Sequence, residues 1–262
     1  MKKVILYTVV AILICCNYSC DQEDGLIIDD PNYPTTFYRL SEETLLQKRN
    51  DFAKKNPEVY TTLNQFGFCA MGDSYGTNGP SGGFTEKEAT AAVKDFVARN
   101  PEYTGVKNPK DLKFRMIEKS IIYNNAVSWC FRTENQTIRD IEVDYSEFVF
   151  HTRNEKLVYC DGNHFPNVYI PKKFNFDSKR AKSQLLGKEV SHWGWRGPSS
   201  FGKIKAEHLQ KCATRLIIIT LRSEEKIELR LAWQIEVDAM YYIFCVDVMT
   251  GEIIQEEPTI IS

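Results

Sequence analysis

Cysteine and histidine are the residue types with which this chain could carry out nucleophilic or metal chemistry. Beyond the first twenty positions the cysteines are Cys69, Cys130, Cys160, Cys212 and Cys245. No C-x-x-C pair occurs among them, which disfavours a zinc site or a thioredoxin-like site. The histidines are His151, His164, His192 and His208, and none has a second histidine four positions later. The sequence therefore predicts no metal and no cofactor.

Cys69 is the cysteine with the most open local sequence, because glycines surround it in GFCAMGDSYG. An exposed thiol to which the fold brings a histidine would be a nucleophile, and a hydrolase built on Cys69 is one hypothesis. A free cysteine usually packs as a small apolar residue, and we favour that interpretation. We expect no catalysis. An odd number of cysteines cannot pair completely, although an exported chain could carry one or two disulfides.

Trp193, Trp195 and Arg196 are the candidates for binding a partner. They begin the segment WGWRGPSSFGK, residues 193–203, which we expect to form a loop. Tryptophan and arginine dominate the contacts of protein interfaces. The two tryptophans could equally stack on a sugar ring or cover a sheet edge, and packing in the core or against the protein's own surface is the interpretation that we slightly favour.

The bulk composition is that of a globular protein. The chain has 262 residues, of which 43% are hydrophobic and 26% are charged, enough for one large or two small domains. Its formal net charge is −2. Because there is no basic excess, nucleic acid is not expected as a partner.

The first twenty residues predict an export signal. Lys2 and Lys3 precede an apolar stretch at residues 4–14 that is short for a membrane span, and Ser19 precedes Cys20. This order resembles a bacterial lipoprotein signal, in which Cys20 would receive the lipid. Cys15 and Cys16 are rival acceptors, and an ordinary secretory signal is the alternative.

An acidic run follows Cys20 and contains Asp21, Glu23 and Asp24. It resembles the surface-export signal of Bacteroidetes lipoproteins, and it would also serve as a solvated tether. We therefore expect residues 21–36 to lie outside the fold. The lipid would anchor the protein to the outer membrane, at the cell surface or in the periplasm, with no other contact to the membrane.

Two helices are predicted at residues 41–55 and 85–99. Ser41 is placed to cap the first helix, and Thr85 with Glu88 forms a capping box at the second. The helices end in DFAKKNPE and DFVARNPE, which share five of eight residues at an offset of 44. A duplicated helix unit is one explanation, and convergence on a common helix stop is the other.

Alternating apolar and polar residues predict strands from residue 112 onward. The expected strands are 112–117, 126–132, 138–143, 147–151, 156–159, 216–221, 228–237 and 241–248, with a third helix at 178–190. A final hairpin should close at residues 248–251, where Gly251 supplies the positive φ that the turn requires. The predicted elements follow the order of a helix and then antiparallel strands, and this order occurs twice. It indicates an α+β fold with helices packed on antiparallel sheets.

The last strands resemble the PepSY module. RLAWQIEVD and YYIFCVDVMTGEII are similar to that family's "LAY-x-V" strand and its "VDA-x-TG-x-V/I" hairpin. The family positions are occupied by Ala232, Asp247, Thr250, Gly251 and Ile253. Val248 and Trp233 replace the usual Ala and Tyr. Asp247, Thr250 and Gly251 are the predicted residues of the hairpin turn.

Residues 135–166 and the segment FDSKRAKSQLL resemble the propeptide of thermolysin-type metallopeptidases, in which such strands and an "A-x-x-A" helix recur. The resemblance covers residues 112–257. It implies a domain that assists or inhibits a peptidase. The H-E-x-x-H zinc motif of the peptidase does not occur in this chain.

The sequence thus predicts five segments. They are a signal peptide at 1–20, an acidic tether at 21–36, a helical segment with a Gly-rich connector at 37–83, a propeptide-like unit at 84–176 and a PepSY-like unit at 177–262. The expected function is that of a non-enzymatic lipoprotein that binds a partner protein, with a peptidase restrained or chaperoned in trans as the specific hypothesis. The alternative is a lipoprotein that captures glycans or nutrients with Trp193 and Trp195.

Overall fold

The α+β class is confirmed by a computed structural model, which describes residues 33–71, 85–122, 126–153, 156–194 and 197–259. The helices are α1 (Glu42–Lys55), α2 (Glu86–Arg99), α3 (Pro101–Thr104), α4 (Ser178–Ser183) and α5 (Ala206–Gln210). The first strands are β1 (Thr35–Tyr38), β2 (Thr61–Leu63), β3 (Cys69–Met71), β4 (Phe114–Ile122), β5 (Ala126–Thr133), β6 (Thr137–Ile138) and β7 (Ile141–Glu142). The others are β8 (Phe148–Arg153), β9 (Lys156–Gly162), β10 (Glu189–Gly194), β11 (Gly197–Lys203), β12 (Ala213–Arg222), β13 (Lys226–Val237), β14 (Tyr242–Asp247) and β15 (Ile253–Pro258).

Helices α1 and α2 begin where the sequence predicts, because both ends are set by local hydrogen bonds. The Ser41 hydroxyl accepts from the Thr44 amide, and Thr85 and Glu88 form a reciprocal capping box. In the described ranges, no helix is long and apolar enough to cross a membrane.

The first core lies between α1, α2 and an antiparallel sheet in the order β4-β5-β8-β9. Phenylalanines fill it, because alternate residues of β5 and β8 point to the helices: Phe52, Phe96, Phe131, Phe148 and Phe150 are each at most 2% exposed. The hairpin of β2 and β3 joins the same core through Leu63 and Cys69.

The second sheet is built around the twelve-residue strand β13. One edge of β13 pairs with β12, and the other pairs first with β1 and then with β14, which is followed by β15. Leu185 of the α4 region packs with Ile235 and Phe244, which lie on one face of this sheet. Helix on sheet therefore occurs in both halves of the chain.

Asn56 and Asn100, which end the two similar segments, bind each other. The Asn56 Nδ2 donates to Asn100 Oδ1 at 2.9 Å, and the Asn100 Nδ2 donates to Asn56 Oδ1 at 3.0 Å. Each amide also donates to a carbonyl of its own helix, at Phe52 and Phe96. Asn56 and Asn100 directly follow α1 and α2, so the pair joins the C-terminal ends of the two helices at equivalent positions. Both residues are buried.

Two expected elements are wrong in extent. The predicted strand at 138–143 is instead the short hairpin of β6 and β7, because Arg139 and Asp140 have φ values of 50° and 61° and reverse the chain without a glycine. The predicted helix at 178–190 stops at Ser183, and its last residues begin β10. Gly187 has a φ of 80°, which a helix does not accommodate.

Three segment predictions also need correction. The acidic tether, predicted at residues 21–36, ends earlier, and the predicted loop at 193–203 is part of a hairpin. Thr35 and Thr36 pair with Leu229 and Glu228 in the second sheet, so the fold includes these residues. Their partners lie far along the chain, which local sequence cannot indicate. β10 and β11 pair with each other across residues 189–203. The segment predicted as mainly helical, 37–83, also contributes β2 and β3.

Replacing Asn100 by alanine should destabilise the fold by about 3 kcal/mol, because the buried Asn56 amide loses its partner. The measurement is urea unfolding of residues 21–262, with Gln210→Ala on the exposed surface of α5 as control. The double variant with Asn56→Ala should cost less than the two single changes added together. A loss below about 0.5 kcal/mol for Asn100→Ala would contradict a structural role for the pair.

Candidate functional site

Asp247, Thr250 and Gly251 lie in the turn that joins β14 to β15. The Asp247 carboxylate, 1% exposed, accepts from the amides of Met249 at 2.7 Å and Thr250 at 2.9 Å. Gly251 has a φ of 74°, and a Cβ there would lie 2.4 Å from the Phe176 ring. These contacts give the three residues a role in shaping the hairpin.

An ion-pair chain surrounds Asp247 where β13 changes partner from β1 to β14. Arg230 Nη1 lies 3.5 Å from Asp247 Oδ2, and Arg230 Nε lies 2.5 Å from Glu228 Oε1. The Tyr33 hydroxyl accepts from the Leu231 amide at 2.9 Å. Burial, and then the nearby Asp247 charge, raises the pKa of Tyr33. Between β1 and β14, the edge of β13 has no strand to pair with in the described ranges. The Tyr33 hydroxyl satisfies the Leu231 amide in this gap.

Trp193 lies in β10, opposite Pro198 of β11. Trp195 and Arg196 lie outside the described residues, between the two strands. In the described ranges this hairpin pairs with no other strand. Val190, 2% exposed, and the Tyr242 hydroxyl, which donates to the Ser191 carbonyl at 2.5 Å, hold its base. Of the predicted binding residues, Trp193 is thus placed near the far end of a separate hairpin.

Cys69 and Cys130 are the two cysteines whose surroundings bear on the hypothesis of a nucleophilic thiol. Cys69 is 1% exposed and its neighbour is Cys160. Cys130 is paired across the sheet with His151, but burial raises the pKa of Cys130, while burial and then Arg132 lower the pKa of His151. Both shifts oppose a thiolate–imidazolium pair. No group of three metal-ligating side chains occurs among the described residues. Cys20 lies outside them.

A cleft of about 590 Å³ opens between three segments, residues 105–113, 134–139 and 164–169. We call it the basic cleft. The first segment follows α3, the second includes β6, and the third leads away from β9. Apolar side chains of Val106, Ile138 and Val168 line it together with polar and charged groups. A lining of this mixed kind suits a ligand with both apolar and charged parts.

Backbone contacts hold the three walls of the basic cleft together. The His164 amide donates to the Thr104 carbonyl at 2.9 Å, and a Cβ at Gly105 would lie 1.9 Å from the His164 carbonyl oxygen. The Gln136 side chain binds both backbone groups of Phe165, at 2.8 Å and 3.0 Å. Because Gly105 and Gln136 fix the third segment from two sides, the cleft is preformed.

Positive charge dominates the basic cleft. Its lining contains four cationic side chains, Lys107, Lys110, Lys113 and Arg139, and two acidic ones, Asp111 and Glu134. Lys107 donates to Asn167 at 3.0 Å, but Lys110, Lys113 and Arg139 have no ion pair within the described ranges. In the adjacent cleft, by contrast, Arg115 pairs with Glu147 and Arg215 pairs with Glu142.

His164 contributes a buried polar group to the wall of the basic cleft. It is 7% exposed, its ring lies 5.3 Å from that of Phe148, and its Nε2 has no hydrogen-bond partner among the described residues. Burial lowers the pKa of His164 to about 4. The imidazole is therefore neutral at pH 7, and the charge of the cleft comes from its rim.

Sequence reasoning missed the basic cleft. Lys107, Lys110 and Lys113 recur every third residue in VKNPKDLK, and this pattern was available as a signal. Arg139 and His164 come from distant segments, and only the fold brings them to the same cleft.

Acid should destabilise wild type more than it destabilises a His164→Gln variant. The folded-state pKa of His164, about 4, lies below the ordinary value of 6.5, so its contribution is present above pH 6.5 and is lost as the pH falls towards 4. Between pH 7.5 and 4.5, the free energy of unfolding of wild type should fall by about 2 kcal/mol more than that of the variant. Urea unfolding at both pH values measures this, and parallel losses would show that His164 is not buried as a neutral ring.

Comparison with known proteins assigns no family. No protein-family model matches the sequence, and no curated protein matches it either. A solved structure described as "Bacillus megaterium YpeB C-terminal domain" aligns over 84% of this chain and 98% of its own, with 13% identity and a TM-score of 0.31. At this TM-score the likeness carries no weight for fold or function.

Proposed function

We propose that the protein is a non-enzymatic binding protein that holds an acidic segment of a partner protein in the basic cleft. The observation that carries the proposal is a set of three cations, Lys110, Lys113 and Arg139, on the rim of a preformed concave surface, for which the described residues provide no ion pair. Cations without internal partners are free to pair with the carboxylates of a ligand.

The charge of the cleft contrasts with that of the chain. After removal of residues 1–19, the sequence has 31 basic and 35 acidic residues, a net charge of −4. A local basic patch on an acidic protein attracts anionic segments and orients them as they approach. Such attraction is screened by salt, over a length of about 8 Å at physiological ionic strength. Salt dependence is therefore a diagnostic property of the proposed interaction.

A peptide segment suits the cleft better than a single ion. A volume of about 590 Å³ lies within the usual range of ligand sites and accommodates several side chains. Val106 and Val168 are buried behind the wall of the cleft, so the half-buried Ile138 would contact an apolar residue of such a segment. The exposed lysines and Arg139 would contact its carboxylates.

Acidic peptides should bind residues 21–262, and removal of three rim charges should weaken the binding. Fluorescein-labelled octapeptides of Asp, Glu and Leu are titrated and compared with neutral and basic peptides of equal length. The triple variant Lys110→Gln, Lys113→Gln, Arg139→Gln should raise the Kd by roughly tenfold, as three rim charges are lost. An increase of salt should weaken wild type in the same direction.

The matched control carries Lys94→Gln, Lys179→Gln and Lys211→Gln, three exposed lysines outside the cleft, and should bind as wild type does. A Trp193→Ala, Trp195→Ala variant tests the hairpin as a separate contact. If acidic peptides do not bind, or if both triple variants lose affinity equally, the proposal fails.

The class of partner rests on the sequence resemblance to PepSY modules and metallopeptidase propeptides, and we propose a peptidase. Consistent with the resemblance, β13 pairs with β14, and Ala232 lies opposite Asp247. Secreted peptidases of the source organism, assayed with and without the protein, are the panel to use. Glycan capture by Trp193 and Trp195 remains the alternative, because their hairpin has no partner strand in the described ranges.

Lipid attachment at Cys20 is part of the proposal and places the protein at the outer membrane. Cells expressing the full chain and fed a labelled fatty acid should incorporate the label into the protein, and Cys20→Ala should abolish it. If the label persists in Cys20→Ala but is lost in Cys15→Ala or Cys16→Ala, the lipid is attached to that other cysteine. If wild type takes up no label, there is no lipid anchor.

A further inference from the structure

Cys69 and Cys160 lie side by side in the first core. Cys69 is in β3 and is 1% exposed, and Cys160 is in β9 and is 0% exposed. Both belong to the same buried cluster, and both are free thiols in the structure. The two residues are far apart in sequence, so their contact depends on the docking of the β2–β3 hairpin against β9.

The docking of that hairpin is set by specific hydrogen bonds. The Thr61 hydroxyl donates to the Cys160 carbonyl at 2.8 Å and accepts from the Cys160 amide at 2.7 Å. The Tyr60 amide donates to the Val158 carbonyl at 2.8 Å. Within β2 and β3, Leu63 is the partner of Cys69. These contacts place Cys69 against Cys160 in one register.

We propose that Cys69 and Cys160 form a disulfide when the protein folds in an oxidising compartment. The other cysteines stay reduced, because they lie in separate places: Cys130 is opposite His151 in β5, Cys212 directly precedes β12, and Cys245 is in β14 of the second sheet. The proposal requires export of the chain, because the cytosol keeps thiols reduced. It does not depend on the ligand of the basic cleft.

The oxidant is a disulfide, either glutathione disulfide or the disulfide of a thiol oxidoreductase. One cysteine thiolate attacks it, which forms a mixed disulfide and releases one thiol. The second cysteine attacks the mixed disulfide at the protein sulfur, which forms the Cys69–Cys160 bond and releases a second thiol. Two electrons pass to the oxidant, and the two thiol protons end on the released thiols.

Burial determines when this exchange occurs. Burial first, and then the adjacent Cys69 thiol, raises the pKa of Cys160, so the folded protein contains little thiolate at this position. The exchange therefore takes place before the β2–β3 hairpin docks. Once formed, the bond is shielded from small reductants by the same core.

The test is oxidative refolding of residues 21–262 in a mixture of reduced and oxidised glutathione, followed by denaturation, alkylation and mass spectrometry. Three cysteines should react with iodoacetamide, and a tryptic peptide pair should link Cys69 to Cys160. Reduction in denaturant should restore all five reactive cysteines, and protein refolded from that state with reductant present should have a Tm lower by several degrees, because the bond closes a long loop. Cys130→Ser should keep the linked pair, and Cys69→Ser should lose it.

Five alkylated cysteines after refolding, or a linkage between other cysteines, would overturn the inference. This outcome is independent of acidic-peptide binding, so failure here leaves the proposed function standing. Failure of Cys69→Ser to fold would not affect the reading, since the wild-type peptide map alone decides it.

Discussion

The reciprocal amide pair of Asn56 and Asn100 is the constraint on which the first half of the structure depends. It ties together the ends of α1 and α2, where Asn56 is 4% exposed and Asn100 is 0% exposed. The Asn100 carbonyl then accepts from the amides of Tyr103 and Thr104, which starts α3. The end of α3 sets Gly105 against the His164 carbonyl and so builds one wall of the basic cleft. A helix-to-helix contact thus positions the candidate site.

Local chemistry explains what could be predicted from the sequence. Ser41, Thr85 and Gly251 act through neighbours within a few residues, and the elements that they bound occur where expected. Predictions failed where the structure of a segment depends on a partner far along the chain or on an unusual backbone conformation. β1 forms because it pairs with the edge of β13. The chain reverses at Arg139 and Asp140, where no glycine indicates a turn in the sequence.

The candidate site divides in the same way. The lysines at 107, 110 and 113 were visible as a spacing, but their placement beside Arg139 and His164 required three remote segments to meet. The hairpin of β10 and β11 was visible only as an aromatic sequence, and its pairing came from the structure. Two features could therefore bind a partner, the basic cleft and the β10–β11 hairpin. The described side chains support the basic cleft more directly.

The measurement that tests the central claim most directly is the mapping of backbone amide shifts of residues 21–262 during titration with an acidic octapeptide. The account predicts that the shifts concentrate in residues 105–113, 134–139 and 164–169, the walls of the basic cleft. Shifts centred on β10 and β11, or spread evenly over the surface, would contradict it.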